Sequence, residues 1–244
     1  MPVIHSCPQR SREWFTLRCG IPTASAFDKV LTAGGKPSRQ RDQFMNALLA
    51  EWMLGYPLEG PETQWMVRGR ELEDDAVKAY TFITGRETLE VGFITNSEAT
   101  FGASPDRLIG DTGLLEIKCP SPAVHVSYLL QNNKLSDSDY GPQLQGELMV
   151  SEREWVDIVS YHPEMPPVVV RVVRDEKYIA ALRLALELFV SEMLEKREEL
   201  ERRFGPFVRT QDAEDPEPPN GLTDSDVEEY IAHLNATDGW ANAN

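Results

Sequence analysis

The segment Gly113 to Pro120, GLLEIKCP, places two ionisable residues, Glu116 and Lys118, inside a short apolar run. Such a run reads as a strand packed into a core, where a carboxylate is costly unless something holds its charge. Side chains alternate along a strand, so Glu116 and Lys118 share one face while Leu115 and Ile117 take the other. Ten residues upstream, Ser104-Pro105-Asp106 lies at a strand or turn edge, and a hairpin between residues 106 and 116 brings Asp106 alongside Glu116. Two carboxylates about 4 Å apart repel by roughly 4 kcal/mol at an effective dielectric of about 20, so the pair requires a cation or a proton between its members. A divalent metal meets that requirement, and all-oxygen ligands favour magnesium or manganese over zinc. The Lys118 ammonium beside it can orient or help deprotonate an attacking water and offset charge growing on a phosphorane-like transition state. The same short pattern is also met by two surface acids on a hairpin with Lys118 as their salt-bridge partner.

The periodicity around this segment predicts alternating helical and strand regions in one domain of mixed α and β structure. A helix begins near Ser11, and a second starts at Thr23, whose hydroxyl can cap ASAFDKVL before Gly34 and Gly35 break the chain. Arg39 to Leu54 carries Phe44, Leu48, Leu49, Trp52 and Met53 at helical spacing, and Gly55 and Pro57 end it. Gln64 to Thr84 repeats the pattern with Leu72, Ala76, Tyr80 and Ile83, ending at Gly85. TLEVGFIT, ATFGASPDRLIG and GLLEIKCP then read as turn-bounded strands. Helical segments at Ala123 to Leu130 and Tyr140 to Met149 precede two more strands, EWVDIVSYH and PVVVRVVRD. From Asp175 to Arg203 a long amphipathic helix presents Tyr178, Leu182, Leu186, Phe189, Met193 and Leu194 on one side. The domain is expected to span residues 1 to 204. Residues 205 to 244 are expected to be an acidic, Pro-containing linker and tail with a short helix at Thr223 to Leu234.

Charge argues both against and for a nucleic-acid partner. The net charge of −16 opposes phosphate binding, which is driven largely by lysine and arginine releasing counterions. Half of the excess, however, sits in residues 205 to 244, where nine acids face Arg209 alone. Residues 1 to 50 hold Arg10, Arg12, Arg18, Lys29, Lys36, Arg39 and Arg41 against Glu13, Asp28 and Asp42, a balance of +4. Cys7, Cys19 and Cys119 form no C-x-x-C pair and suit free thiols in a reducing compartment. The N-terminal MPVIHSCPQRSREW lacks a signal-peptide apolar run, and no stretch approaches the roughly 20 apolar residues of a membrane span, so a soluble intracellular protein is expected.

Five segments in order, LRCGIPTAS (17 to 25), RGRELEDDA (68 to 76), ASPDRL (103 to 108), LLEIKCP (114 to 120) and QLQGELMV (143 to 150), resemble the phage lambda exonuclease family of YqaJ-like viral recombinases. The resemblance covers roughly residues 13 to 203. It implies a PD-(D/E)XK nuclease with a restriction-endonuclease-like core, a mixed sheet flanked by helices. By position it makes Asp106, Glu116 and the Ile117 carbonyl metal ligands, Lys118 the catalytic lysine, and Glu73 a helix-borne acid beside the metals. Gln143 would lie near the attacking water, with Gln145 a further candidate. Arg18, Ser25 and Ser104 match a pocket for a 5′-terminal phosphate, a role suited to a guanidinium fork and hydroxyl donors. Asn96 departs from the pattern, falling where an acid aligns before the S-P-D motif.

The resemblance further implies 5′→3′ digestion of one strand of linear duplex DNA with two Mg2+ ions per site, Mn2+ substituting, Asp106 bridging the ions. Release of 5′-mononucleotides would leave a 3′-ended strand for annealing. The same likeness implies a ring-shaped homotrimer, a phage single-strand annealing protein as partner, and a phage or prophage origin in a bacterial cytoplasm. A restriction-type or repair endonuclease with the same metal motif is an alternative, as is a non-catalytic DNA-binding scaffold that retains the fold. An iron–sulfur relative is disfavoured because four suitably placed cysteines are absent.

Overall fold

Along the chain run β1 (Val3–His5), α1 (Arg12–Arg18), a 3-10 helix (Ala24–Lys29), α2 (Arg41–Leu54), α3 (Gln64–Thr84), β2 (Leu89–Glu90), β3 (Phe93–Thr95) and β4 (Gly102–Ala103). They are followed by β5 (Arg107–Ile109), β6 (Gly113–Lys118), α4 (Pro122–Leu130), α5 (Gly141–Ser151), β7 (Trp155–Ser160), β8 (Val168–Val173) and α6 (Glu176–Phe204). The computed structural model describes residues 1–58, 64–131, 135 and 140–207. All of these belong to the unit Met1–Val208.

Local chemistry sets the element ends. The Ser11 hydroxyl accepts the Trp14 N–H to start α1, and the Asp175 carboxylate accepts the Tyr178 N–H to start α6. Gly55 (φ 78°) stops α2 in the left-handed conformation that costs glycine nothing. Pro122 and Pro142 occupy the first turns of α4 and α5, where no intrahelical N–H is needed.

Two sheets result. β1, β3 and β4 form a three-stranded antiparallel sheet, and the larger sheet runs β2-β5-β6-β7-β8. Within it β6 and β7 are parallel and the other pairs antiparallel, so the sheet is mixed. A parallel pair needs a crossover connection, and α4 and α5 lie within it. Leu114, Val156 and Ile158 face the core with Leu144 and Leu148 of α5 and Leu182, Leu186 and Phe189 of α6. Leu115, Ile109 and Val159 cluster on the other side with Tyr80 of α3. The expected mixed sheet flanked by helices is therefore what forms. Asp157 on β7 ties α3 to the sheet. It accepts the Tyr80 hydroxyl at 2.7 Å and is gripped by Arg171 Nε at 2.7 Å and Nη2 at 2.8 Å, a bidentate pair that satisfies a buried carboxylate.

Two expectations need correction. Thr23 does not cap an α-helix: its hydroxyl meets Ser25 Oγ at 3.4 Å and a 3-10 helix follows. The cause is that Thr23 forms a parallel bridge to Gly102, whose N–H reaches the Pro22 carbonyl at 3.1 Å, so β4 fixes the backbone there. Ile83 is 52% and Leu194 42% exposed; the buried stripes are narrower than the periodicity suggests, centred on Ala76 and Tyr80 in α3 and on Leu186, Val190 and Met193 in α6. α5 threads between the sheet, the 3-10 helix and α6 and buries residues on every side. Packing also continues past α6, where Phe207 lies edge-on to Trp52 at 5.4 Å. The short helix expected at Thr223 to Leu234 lies outside the described residues. Among those residues no helix is long and apolar enough to cross a membrane, and Cys7, Cys19 and Cys119 are free thiols.

The contact between α5 and the 3-10 helix depends on Gly146, where a Cβ would stand 2.5 Å from the fully buried Phe27 ring. Gly146→Ala is expected to destabilise the protein by about 1–3 kcal/mol through overpacking, read as a lower midpoint in thermal or urea unfolding. An unchanged midpoint would show that this contact is soft.

Candidate active site

The β5–β6 hairpin pairs Arg107 with Leu115, which sets Asp106 just beyond the last ladder rung, beside Glu116. The Asp106 Oδ2 accepts the Ile117 N–H at 2.5 Å. Because β5 begins only at Arg107, the carboxylate supplies the acceptor that a longer strand would have offered. Glu116 faces α5 and is 4% exposed. Its Oε1 receives Lys118 Nζ at 2.7 Å and Gln143 Nε2 at 2.6 Å. Lys118 Nζ also lies 3.4 Å from Gln143 Oε1 and 4.8 Å from the centre of the Tyr140 ring. Asp106, Glu116, Lys118 and Gln143 are thus brought together from one hairpin and one helix.

Glu73 reaches the same place from α3. Arg107 Nη1 donates to Glu73 Oε1 at 2.9 Å and to the Asp106 carbonyl at 2.8 Å, so the helix is tied to the residue after Asp106. Reading the sequence missed Glu147, one helical turn after Gln143, which accepts Gln143 Nε2 at 2.8 Å and is 1% exposed. Its signal was an acid beside the apolar run LMV, in the segment LQGELMV.

Burial dominates the electrostatics. Desolvation first, and the Glu116 charge second, push the Asp106 carboxyl well above the ordinary carboxylate range. The same two causes raise Glu147. For Lys118 burial opposes the charge, but Glu116 and Asp106 outweigh it and leave the ammonium harder to deprotonate than an ordinary lysine. Glu116 Oε2 and Glu147 Oε2 are buried without hydrogen-bond partners. A carboxylate oxygen so placed is under-satisfied, and a cation beside Glu116 would satisfy it. Among the described residues no three His, Cys, Asp or Glu side chains are arranged about one metal position. Two carboxylates with a backbone carbonyl form a different donor set, all oxygen and sparse, and it fits Mg2+, which keeps several waters.

A second cluster forms around Trp14. Its indole N–H donates to Ser104 Oγ at 2.9 Å and to the Gly92 carbonyl at 3.2 Å. The Arg18 guanidinium lies 4.0 Å over the Trp14 ring and donates to Ser104 Oγ at 3.3 Å. Arg18 and Ser104 are therefore joined, two residues before Asp106, on a platform that the sequence pattern did not single out. Ser25 lines a cavity of about 390 Å3 together with Gln143 and Tyr140. Gln145 serves the fold, donating to the Val173 carbonyl at 3.0 Å and accepting the Asp175 N–H at 2.8 Å. Asn96 closes a turn by accepting the Thr100 N–H at 2.8 Å and the Phe101 N–H at 3.2 Å, for which its amide oxygen suffices.

Solved structures similar to this one include exonucleases. LHK-Exo, an alkaline exonuclease from Laribacter hongkongensis, matches in two crystal structures, one in complex with dAMP, each at 33% identity and TM-score 0.71 over 79% of this chain and 97% of that one. A phage related exonuclease from Haemophilus somnus shares the fold at 14% identity and TM-score 0.59, over 74% of this chain and 96% of that one. No curated protein matches at a significant level. The pattern of the YqaJ-like viral recombinase domain matches residues 13–154. The chain belongs to that family.

The raised Asp106 pKa couples stability to pH. A folded-state pKa above the unfolded one means that the native protein binds the extra proton, so stability falls as pH rises through that interval. Asp106→Asn keeps an acceptor for the Ile117 N–H and removes the charge. In metal-free protein it is expected to raise the melting temperature at neutral pH, by roughly 2–4 °C for each kcal/mol relieved, and the gain should shrink toward acid pH. A lower melting temperature for Asp106→Asn at neutral pH would contradict this electrostatic account.

Proposed function

We propose that this phage-type exonuclease digests linear duplex DNA in the 5′→3′ direction with Mg2+, releasing 5′-mononucleotides and leaving a 3′ single strand for annealing. The observation that carries the reading is the meeting of Asp106, Glu116, Lys118 and Gln143 at one point, where the open end of the β5–β6 hairpin faces α5. Family membership and the exonuclease neighbours, one of them holding dAMP, support it.

Asp106, Glu116 and the Ile117 carbonyl would hold the cation, with Glu73 in its surroundings. Bound there, two Mg2+ ions would supply Lewis acidity toward the phosphate and would make water a stronger nucleophile. Lys118 Nζ, 2.7 Å from Glu116 Oε1, brings a hydrogen-bond donor and a positive charge to the site. Its charge can orient the nucleophile and offset negative charge on the phosphoryl oxygens as they become more anionic. The Gln143 carbonyl, directed toward Lys118, stands where it can accept a hydrogen bond from the attacking water.

End dependence is supported by Arg18 and Ser104. A guanidinium and a hydroxyl converge two residues before Asp106, and together they suit a terminal phosphate dianion. A 5′ phosphate seated there would set which phosphodiester reaches the carboxylates. Ser25, on the wall of the cavity beside Gln143, is the third member of this reading. The basic balance of the first 50 residues gives the duplex an attractive surface despite the acidic total. A homotrimer ring with an annealing partner, in a bacterial cytoplasm, completes the proposal on the strength of the family resemblance.

The test is end-labelled linear duplex with Mg2+. Lys118→Ala is expected to lose about 100-fold or more in turnover while keeping its fold by circular dichroism at the assay temperature, and wild-type turnover would overturn the catalytic assignment. Arg18→Ala should slow digestion of 5′-phosphorylated ends more than 5′-hydroxyl ends. Equal losses on both would remove the phosphate pocket from the reading.

A further inference from the structure

Glu147 is nearly wholly buried, yet among the described residues the one hydrogen bond its carboxylate makes is to a residue of the reaction centre. Burying a carboxyl group with a single partner costs stability, so its placement needs a compensating contact. That contact is Gln143, one turn earlier on α5 and on the same face.

The Gln143 amide nitrogen carries two hydrogens and has two acceptors, Glu116 Oε1 at 2.6 Å and Glu147 Oε1 at 2.8 Å. Both N–H groups are thereby used. A flipped amide would set its carbonyl oxygen against the Glu116 carboxylate and its NH2 against the Lys118 ammonium, so only one orientation survives. With Glu116 alone the amide could pivot about a single hydrogen bond. With Glu147 as well, its plane is fixed and its carbonyl is directed at Lys118 Nζ, 3.4 Å away.

We propose that Glu147 is a positioning residue that locks the Gln143 side-chain amide, directing its carbonyl to Lys118 and to the water that attacks the phosphodiester. The proposal rests on the reading of Gln143 and Lys118 as members of the reaction centre. It assigns Glu147 no contact with substrate. Its effect runs through a hydrogen-bond acceptor, so a glutamine, whose side-chain carbonyl also accepts, should replace it, and a leucine of similar volume should not.

The experiment uses the full chain and has two readouts. In protein labelled with 15N-glutamine, the Gln143 side-chain NH2 pair is identified by its loss in Gln143→Leu. In Glu147→Leu one proton of that pair is expected to move upfield, and an unmoved pair overturns the proposal. On linear duplex with Mg2+, Glu147→Leu should lower kcat about 10-fold with KM within about twofold, as expected for a misplaced reacting group. Glu147→Gln should recover most of that loss. In a Gln143→Leu background, Glu147→Leu should cost nothing more, because coupled residues are not additive. Wild-type kcat in Glu147→Leu, a Glu147→Gln variant as slow as the leucine, or a full further loss without Gln143 each overturns the proposal. Should Glu147→Leu fail to fold, Glu147→Met, which also lacks a strong acceptor, takes its place. The spectrum is recorded without DNA, so failure of the nuclease reading, seen as wild-type turnover in Lys118→Ala, is distinguishable from failure of this one.

Discussion

The hydrogen bond from the Ile117 N–H to the Asp106 carboxylate is the contact around which the site is organised. It fastens a side chain from the mouth of the β5–β6 hairpin onto β6, which lies inside the mixed sheet between β5 and β7. A carboxylate pinned in this way cannot swing into solvent to escape Glu116. The repulsion is therefore retained by the fold, and the Lys118 ammonium offsets part of it. Such an arrangement is a poor way to stabilise a protein, and it is what the proposed cation site would require, since a divalent ion there would offset the retained repulsion.

Much of the surrounding architecture serves to keep those groups still. β6 is paired on both sides, and apolar clusters cover its two faces, one with α5 and α6 and the other with Tyr80 of α3. The bond from Tyr80 to Asp157, reinforced by the Arg171 fork, holds α3 on the sheet, and Arg107 links Glu73 of the same helix to the backbone of Asp106. α5 is unusual in being buried on all sides while carrying Gln143, Gln145 and Glu147. These polar residues divide between fold and site. Gln145 joins the end of β8 to the start of α6, whereas Gln143 and Glu147 face the carboxylates.

Trp14 plays for the neighbouring pocket the part that β6 plays for the acids. Its ring carries the Arg18 guanidinium and its indole N–H holds the Ser104 hydroxyl, so a single buried side chain sets the spacing between an arginine and a serine 86 positions apart in sequence. The two clusters share the short path from Ser104 to Asp106. In the proposed reading, a phosphate held at one cluster would be in register with the carboxylates of the other.

Residue order alone dictates which chemistry is available and roughly where. An acid and a lysine two apart in an apolar strand must share a face, and a hairpin of this length must return Asp106 to Glu116. The helical periods of α2, α3 and α6 were legible because burial of one stripe imposes a 3.6-residue rhythm. The choice of partners belongs to the packed molecule. Nothing local says that Trp14 stacks on Arg18, that Arg107 reaches Glu73, or that Glu147 is buried against Gln143, since each contact depends on how the chain packs. Thr23 and Ile83 departed from expectation for the same reason. A hydroxyl's capping preference and a side chain's hydrophobicity are worth about 1 to 3 kcal/mol, little enough for a paired backbone at Gly102, or a packing geometry centred on Tyr80, to override.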